Sequence, residues 1–465
     1  MRPAVSTIMM PPLFFFLSSF LTLSELMIHR ILLLSAMVVS FTTIAKAQSF
    51  GGVVSDSETS APIPNVTVLQ LEDNITATTG QDGSFKIEGG GEGAKTLRFI
   101  SEGYVFDEKR RIAPTNTITV SLRKTKKSAA SIREEGYIAN GCEITNPEKP
   151  EWNIRFEHSP LKGDLAPDPN FTRRDPSAVI FVNDKYYVWY SYSLTHNTDK
   201  EAPWDLNDLY FATSSDGETW EEKGPAVMRG AEGEFDHRSV FTTEIFVHDG
   251  VYYLVYQAAA DLDGVYNRNF VGMSQASSPD GPWTKLKEPV LRPTYVNTPY
   301  FDNNAVHDPC LIHYNDKFYL YYKGECNCFD CEGCERWCNP ICGLKKQVKW
   351  GVAIADSPTG PFVKSEFNPI TNTGHEVMVW KYGTGVAILQ HQDGPEAKTI
   401  QYAEDGVNFE IMGNAIDMPE AAGLFRPSDP ENTPHAGVDW GLSHVLKWNA
   451  GPKGWMYIQK YKKIK

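Results

Sequence analysis

Apolar and polar residues alternate at period two along residues 48–124, and Pro, Asn and Asp-Gly turns separate the runs. This alternation is typical of half-buried strands, and several short strands without a helix predict a small β-sandwich. A basic stretch, RKTKKSAASIREEGY, follows, and a short helix is expected to begin near Ser128. Residues 125–149 are therefore interpreted as a linker and arm.

From about residue 150 the chain repeats one pattern roughly every 65 residues: an acidic residue, an apolar run, a turn and a second apolar run. The first four copies open at Asp175, Glu244, Asp308 and the pair His375–Glu376, and a degenerate fifth spans HAGVDWGLSHVLKW and WMYIQKY. A repeat of this length, with four short strands per copy, predicts a five-bladed β-propeller over residues 150–465. The predicted fold class is all-β, a propeller preceded by a small sandwich.

The innermost strands of a propeller run along its axis, so their first residues are predicted to meet in one cavity. Crowded carboxylates raise one another's pKa, a cost that proteins tolerate mainly where the acids have a function. Glycoside hydrolysis needs such a set, because one acid protonates the leaving oxygen and one carboxylate activates water. The alternative is structural, with acids that cap strands or tie blades together. For Glu244, either interpretation accounts for the residue.

The first 47 residues are predicted to be a signal peptide outside the folded protein. Two apolar runs are separated by Met27-Ile28-His29-Arg30, and Met27 is an alternative start of translation. The second run has a basic start and ends at Ala45-Lys46-Ala47, the layout of a secretory signal. This run is short for a membrane span. We therefore expect export to the periplasm or the medium, without stable membrane insertion.

Composition narrows the choice of partner. Of 465 residues, 41% are hydrophobic and 22% are charged, which is ordinary for a globular protein. The net charge of −14 argues against nucleic acid, whose binding requires a basic face. Aromatic residues make up 12% of the chain, a content that fits a sugar-binding site as well as a β-rich core.

Six of the eight cysteines crowd into CNCFDCEGCERWCNPIC, between Cys326 and Cys342. In an exported chain this cluster predicts a loop held by disulfides. A structural zinc site is the second interpretation, because closely spaced thiolates also bind metal. No cofactor is expected to be required, a bound divalent cation is an open alternative, and no metal ligands are assigned.

Several segments resemble known families. GVVSD, PIPNVTV, DGSFKI and EGY, in the first unit, resemble the carboxypeptidase regulatory-like domain. The propeller pattern resembles glycoside hydrolase family 43 and its relatives. RRDPSAV, DNNAVHDPC and TGHEVMVW are more closely similar to glycoside hydrolase family 117, whose characterised members are exo-acting α-1,3-neoagarooligosaccharide hydrolases. SAASIR is similar to that family's S-x-A-x-x-R motif, which lies in a helix exchanged between two subunits.

The resemblance implies a role for each matching residue. Asp175 would be the general base, Asp308 the acid that tunes and orients the site, and His375 the general acid, with Glu376 beside it. An imidazolium near carboxylates is favoured in its charged form and can donate a proton near neutral pH. Substrate contacts are assigned to Arg174, Glu244, Asn304 and His307, with Trp204 and Tyr192 stacking on sugar faces. Ser128, Ala130 and Arg133 are assigned to the arm of a homodimer.

The leading expectation is an inverting, exo-acting glycoside hydrolase. It would release a terminal sugar of the 3,6-anhydro-L-galactose type from agar-derived neoagarooligosaccharides, through an α-1,3 linkage. A family 43-type arabinofuranosidase or xylosidase is the first alternative, and a non-catalytic carbohydrate-binding propeller is the second. The cysteine-rich insertion and the N-terminal unit depart from the family pattern and leave the exact substrate open.

Overall fold

The computed structural model describes residues 49–464, except for 90–92, 114–116, 145, 148, 262–267, 295–299, 328–347, 427–437 and 448–453. The signal peptide predicted for residues 1–47 lies outside the described residues. Within the described ranges, no helix is both long enough and apolar enough to cross a membrane.

The N-terminal unit consists of two sheets packed face to face. Its strands are β1 Ser49–Asp56, β2 Thr67–Gln70, β3 Ile75–Thr78, β4 Ser84–Glu88, β5 Lys95–Ile100, β6 Asp107–Ile112 and β7 Thr117–Leu122. One sheet has the order β4-β1-β7 and the other the order β3-β2-β5-β6. Alternate side chains of both sheets, among them Phe50, Phe85 and Phe99, form one buried core. The alternating pattern in the sequence produces this sandwich, because every second side chain faces the opposite sheet.

The arm contains the helix α1, Ala129–Ala139, and a 3₁₀ turn, Pro150–Trp152, follows it. Ser128 is the N-cap of α1, and its hydroxyl accepts a hydrogen bond from the backbone N–H of Ser131. The helix packs on the propeller of its own chain, where Arg133 pairs with the buried Glu396 at 2.8 Å. The homodimer stays a prediction.

The propeller contains the remaining strands. They are β8 Ile154–Pro160, β9 Lys162–Gly163, β10 Phe171–Arg174, β11 Val179–Val182, β12 Lys185–Leu194, β13 Asp208–Ser214, β14 Thr219–Val227, β15 Ser239–His248, β16 Val251–Ala259, β17 Asn269–Ala276, β18 Thr284–Lys285, β19 Ala305–Tyr314, β20 Lys317–Glu325, β21 Val348–Ala355, β22 Val363–Lys364, β23 His375–Tyr382, β24 Gly385–Gln392, β25 Thr399–Ala403, β26 Glu410–Ile416, β27 Glu420–Arg426, β28 Trp440–Lys447 and β29 Trp455–Lys463.

These strands form five blades, as predicted. Blades one to four are β11-β12-β13-β14, β15-β16-β17-β18, β19-β20-β21-β22 and β23-β24-β25-β26. Blade five is β27-β28-β29-β8, so the first strand of the propeller completes its last blade. The antiparallel pairing of β8 with β29 closes the ring, which removes the free edges that an open sheet would expose.

The inner strands of four blades begin irregularly. One non-glycine residue in each has a positive φ: Asp175 (47°), Thr242 (44°), Asp308 (46°) and Ala421 (42°). In blades two, three and five, the pairing with the next strand shifts register at this point, as in a β-bulge. A left-handed non-glycine residue costs about 1–3 kcal/mol, and such residues concentrate at functional sites.

This feature corrects the alignment of two repeats. The position in blade two that matches Asp175 and Asp308 is Thr242, because Glu244 lies two residues after the bulge. In blade five the innermost strand is β27, whereas HAGVDWGLSHVLKW supplies the second strand, β28. Glu420 opens β27 and is followed by an apolar run, so the fifth copy, predicted to be degenerate, also has an acidic start.

The sandwich docks on blade three through charged side chains. Arg123 pairs with Glu366 at 2.5 Å and donates to the carbonyl of Lys364 at 2.7 Å.

Cys142 and Cys326 are each disulfide-bonded, and Cys310 is a buried free thiol. Most of the cysteine cluster lies outside the described residues, so the choice between disulfides and zinc there stays a prediction.

Candidate active site

A cavity of about 530 Å³ lies where the inner strands of the five blades begin. This volume is typical of a site for a small ligand. The structure brings these predicted residues to its wall: Arg174, Asp175, Trp204, Glu244, His307, Asp308 and His375. Residues far apart in the sequence therefore face one space, because each blade delivers its first strand to the same end of the axis.

Asp175 is buried and held by three neighbours. Its Oδ2 lies 2.6 Å from Arg174 Nη1 and accepts a hydrogen bond from the Thr242 hydroxyl at 2.6 Å. Its Oδ1 lies 2.8 Å from His444 Nδ1. Burial alone would raise the pKa of Asp175, but Arg174, His444 and Thr242 lower it to about 2. The carboxylate is therefore ionised throughout the neutral range.

Asp308 carries a lysine as its counter-ion. Lys323 Nζ lies 2.6 Å from Asp308 Oδ2. Burial acts to raise the pKa of Asp308, yet Lys323, followed by His307 and His375, lowers it below its usual value. A second ionised carboxylate thus lies in the cavity without repelling the first one strongly, because each has its own cation.

His375 begins β23, and its Nδ1 lies 2.8 Å from the Gln392 side-chain amide nitrogen. Burial, followed by the Lys323 ammonium, holds the pKa of His375 well below its usual value, although Asp308 acts in the opposite direction. The free protein therefore holds a neutral imidazole at neutral pH. The sequence analysis expected nearby carboxylates to favour the imidazolium, but desolvation and the lysine outweigh them.

Glu376 follows His375 in the same strand. Its side chain lies outside the described residues, so its predicted place beside the general acid stays a prediction.

Arg174 and Trp204 form one wall of the cavity. The guanidinium carbon of Arg174 lies 6.0 Å from the centre of the Trp204 ring and 5.9 Å from that of Phe241. Such cation–π contacts orient the arginine toward Asp175. The aromatic wall offers an apolar face on which a sugar ring can stack.

Glu244 lines the cavity and also joins three blades. Its Oε1 lies 2.8 Å from Arg426 Nη2 in blade five, and its Oε2 accepts from the Ala178 N–H in blade one. Burial raises the pKa of Glu244 despite the opposing effects of Arg426 and Ala178. These contacts match the structural interpretation that the sequence left open for this residue.

Two of the predicted substrate contacts do not line the cavity. Asn304 is buried before β19, where its backbone N–H donates to the carbonyl of Glu325. Tyr192 stacks on Tyr210 at 4.0 Å and on Phe171 at 5.8 Å, within blade one. Its aromatic ring is used for packing between strands rather than for a sugar face.

Several polar residues of the cavity were not predicted from the sequence, among them Thr242, Lys323, Glu420 and His444. His444 connects the two acids beside it, since its Nε2 lies 3.8 Å from Glu420 Oε1. Glu420 could have been found from its acidic-then-apolar start. His444 and Lys323 lie on second strands of their blades, where the repeat pattern marks no polar position.

Comparison with known proteins agrees with this geometry. The structure of Zg3597, a family 117 glycoside hydrolase produced by the marine bacterium Zobellia galactanivorans, is 37% identical to the chain, with a TM-score of 0.58. The match covers 67% of this chain and 91% of Zg3597. The chain belongs to glycoside hydrolase family 117. It is therefore a glycosidase by family.

Other comparisons give the wider relationship of this family 117 protein. Residues 169–309 match the model of glycosyl hydrolases family 43, and residues 50–134 match the CarboxypepD_reg-like domain. CoXyl43, a family 43 β-xylosidase/α-arabinofuranosidase from a compost microbial metagenome, is 16% identical, with a TM-score of 0.45 over 67% of this chain and 95% of its own. No curated protein matches the chain.

The described part of this family 117 chain has no group of three or more His, Cys, Asp or Glu residues placed to hold a metal ion. The cavity contains two groups suited to acid–base chemistry. Asp175 is an ionised carboxylate that can accept a proton, and His375 is an imidazole that can donate one once it is protonated.

Proposed function

We propose that the protein is an exo-acting, inverting glycoside hydrolase of agar breakdown. It releases a terminal sugar of the 3,6-anhydro-L-galactose type from neoagarooligosaccharides by cleaving an α-1,3 linkage. The observation that carries this proposal is the convergence of Asp175, Asp308 and His375 on one cavity in a family 117 chain. The cavity volume supports this proposal, because it is typical of a site that encloses a small ligand such as the end of an oligosaccharide.

In the proposed reaction, Asp175 accepts a proton from water as the water attacks the anomeric carbon. His375, protonated in the complex, gives its proton to the leaving oxygen. Asp308 orients the sugar and favours the imidazolium, since its charge raises the pKa of His375. Water attack on the face opposite the leaving group inverts the anomeric centre.

The test is a comparison of substrates with purified protein. Neoagarobiose should be cleaved to two monosaccharides, and NMR should show that the first-formed product has the inverted anomeric configuration. Aryl α-L-arabinofuranosides and aryl β-D-xylosides should be cleaved far more slowly. Preferential cleavage of these pentosides would instead support a family 43-type activity, which the match at residues 169–309 keeps as the second candidate. Binding of neoagarobiose without turnover would point to a non-catalytic propeller.

We also propose that the protein is exported, as the apolar run ending at Ala47 suggests, and that it works as a homodimer. No cofactor is required in this proposal. Mass spectrometry of the mature N-terminus near Gln48, and light scattering of the purified protein, test the first two points. Unchanged activity after treatment with a chelator tests the third.

A further inference from the structure

The arm motif around Ser128–Arg133 contacts the segment that leads into His375. The Ser128 hydroxyl donates to the carbonyl of Pro369 at 2.6 Å. The carbonyl of Ala130, which is fully buried, accepts from the Asn372 side chain at 2.7 Å. The arm therefore binds two points of the stretch that precedes β23.

Arg133 reaches the same segment through a buried carboxylate. Glu396 has no solvent exposure, and both of its oxygens accept from Arg133, at 2.8 Å and 3.2 Å. Glu396 Oε1 also accepts from Asn372 at 2.8 Å, while the Glu396 backbone N–H donates to the Thr373 hydroxyl at 2.9 Å. Glu396 thus links the arm to both residues, and the Tyr137 hydroxyl of α1 also donates to its carboxylate.

The segment itself has little freedom to move independently. Thr371, Asn372 and Thr373 are each at most 1% exposed. The carbonyl of Gly374 accepts from the Trp350 indole N–H at 2.5 Å. A side chain at Gly374 would lie 2.7 Å from the backbone nitrogen of Lys349, so the glycine permits the close approach of the segment to β21.

We propose that the S-x-A-x-x-R arm positions His375 for proton transfer. Arg133 acts through Glu396 and Asn372–Thr373 on the start of β23, and none of these residues lines the cavity. They are positioning residues rather than catalytic ones. The proposal rests on the proposed function in one respect only, namely that His375 is the proton donor.

A charge-balanced variant tests this role. Removing Arg133 alone would leave Glu396 buried without its counter-ion and destabilise the protein. Arg133→Met combined with Glu396→Gln removes both charges and should keep the melting temperature near that of the wild type. Glu135→Gln is the matched control, because Glu135 is on the same helix and pairs only with the exposed Lys127 among the interactions described.

The double variant should show a selective loss. A displacement of about 1 Å can cost about 10²-fold in rate, so kcat on neoagarobiose should fall by about that factor while KM changes little. Activated aryl glycosides, whose leaving groups need no proton, should lose much less. Arg133→Lys keeps the charge but not the two-point contact, and should be intermediate. An equal loss on both kinds of substrate, or wild-type kcat in the double variant, would overturn the proposal.

A measurement without substrate separates this proposal from the proposed function. NMR of histidine-labelled protein follows the His375 ring, with His375→Ala providing its assignment. The ring signals should shift in the double variant and in Arg133→Lys, and stay in place in Glu135→Gln. Unchanged signals in the first two variants overturn the positioning role even if the wild type cleaves neoagarobiose. Shifted signals support that role even if this sugar is not the substrate.

Discussion

Asp175 of blade one and His375 of blade four lie at equivalent ends of their inner strands, yet their surroundings prepare them differently. The pKa of both groups is lowered. For a carboxyl group this favours the charged form, so Asp175 is ready to accept a proton in the free protein. For an imidazole it favours the neutral form, so His375 is not ready to donate one. In the proposed mechanism, protonation of His375 therefore controls how activity depends on pH.

The two residues are also held by different means. Asp175 is bound directly, by Arg174 beside it, Thr242 of blade two and His444 of blade five. The His375 ring lies beside the Gln392 amide. The segment before its strand is held by Glu396, whose backbone N–H donates to Thr373. The direct contacts determine the charge of the Asp175 carboxylate, whereas the contacts of the segment before β23 determine the position of His375.

Asp175→Asn should have the largest effect. Asparagine keeps the size of the side chain but cannot accept a proton from water, so kcat should fall by at least about 10²–10⁴-fold. Asp208→Asn is the control, because Asp208 pairs with Arg229 in the same blade and does not line the cavity. Kinetics on neoagarobiose provide the measurement. A near-wild-type rate for Asp175→Asn, with a normal melting temperature, would make Asp175 structural.

His375→Ala should have the next largest effect, and it should depend on the leaving group. Without a proton donor, cleavage of neoagarobiose should slow by about 10²-fold or more, whereas activated aryl glycosides should be little affected. Glu376→Gln is the companion variant, and any change in its rate should be similar for neoagarobiose and for the activated aryl glycosides. If Glu376→Gln shows the dependence on leaving group and His375→Ala does not, the proton donor is Glu376.

The sequence predicted the sandwich, the propeller and the convergence of Asp175, Asp308 and His375, because strand periodicity and repeat spacing record which residues begin inner strands. It did not predict Thr242 as the blade-two equivalent, since a bulge adds a residue that the apolar pattern does not reveal. Lys323 and His444 were missed for another reason. They come from second strands, and only the packing of those strands against the inner ones brings their polar atoms to the acids.

Lys323→Met should change the pH dependence of activity, although it also leaves the buried Asp308 without its counter-ion. The ammonium of Lys323 lowers the pKa of His375, so its removal should raise that pKa. In the proposed mechanism His375 must be protonated to act, so kcat/KM of the wild type should fall as the pH rises through a value below 6.5, the usual pKa of histidine. The variant should retain activity to higher pH. Lys317→Met, on the same strand and paired with the exposed Asp356, is the control and should leave the profile unchanged.

An alkaline limb of the Lys323→Met profile that stays in place would show that His375 does not set it. A shift to lower pH would contradict the assigned sign of the lysine's effect.

Substitution of His444 should have the smallest effect, confined to the acid side of the profile. With the pKa of Asp175 at about 2, the wild type should show no acid limb above about pH 3. His444→Phe removes the imidazole nitrogen at 2.8 Å, which lowers the pKa of Asp175, so this pKa should rise and an acid limb should appear at higher pH. His444→Asn is the matched control, because its amide can still donate to Asp175 and should limit the shift.

At neutral pH both variants should keep rates within about threefold of the wild type, since Arg174 and Thr242 still hold the carboxylate ionised. The measurement is the profile of kcat/KM against pH for each protein, over the pH range in which the variants remain folded. Identical acid limbs in the wild type and His444→Phe would mean that Arg174 and Thr242 suffice, and that the histidine contributes only packing between blades one and five.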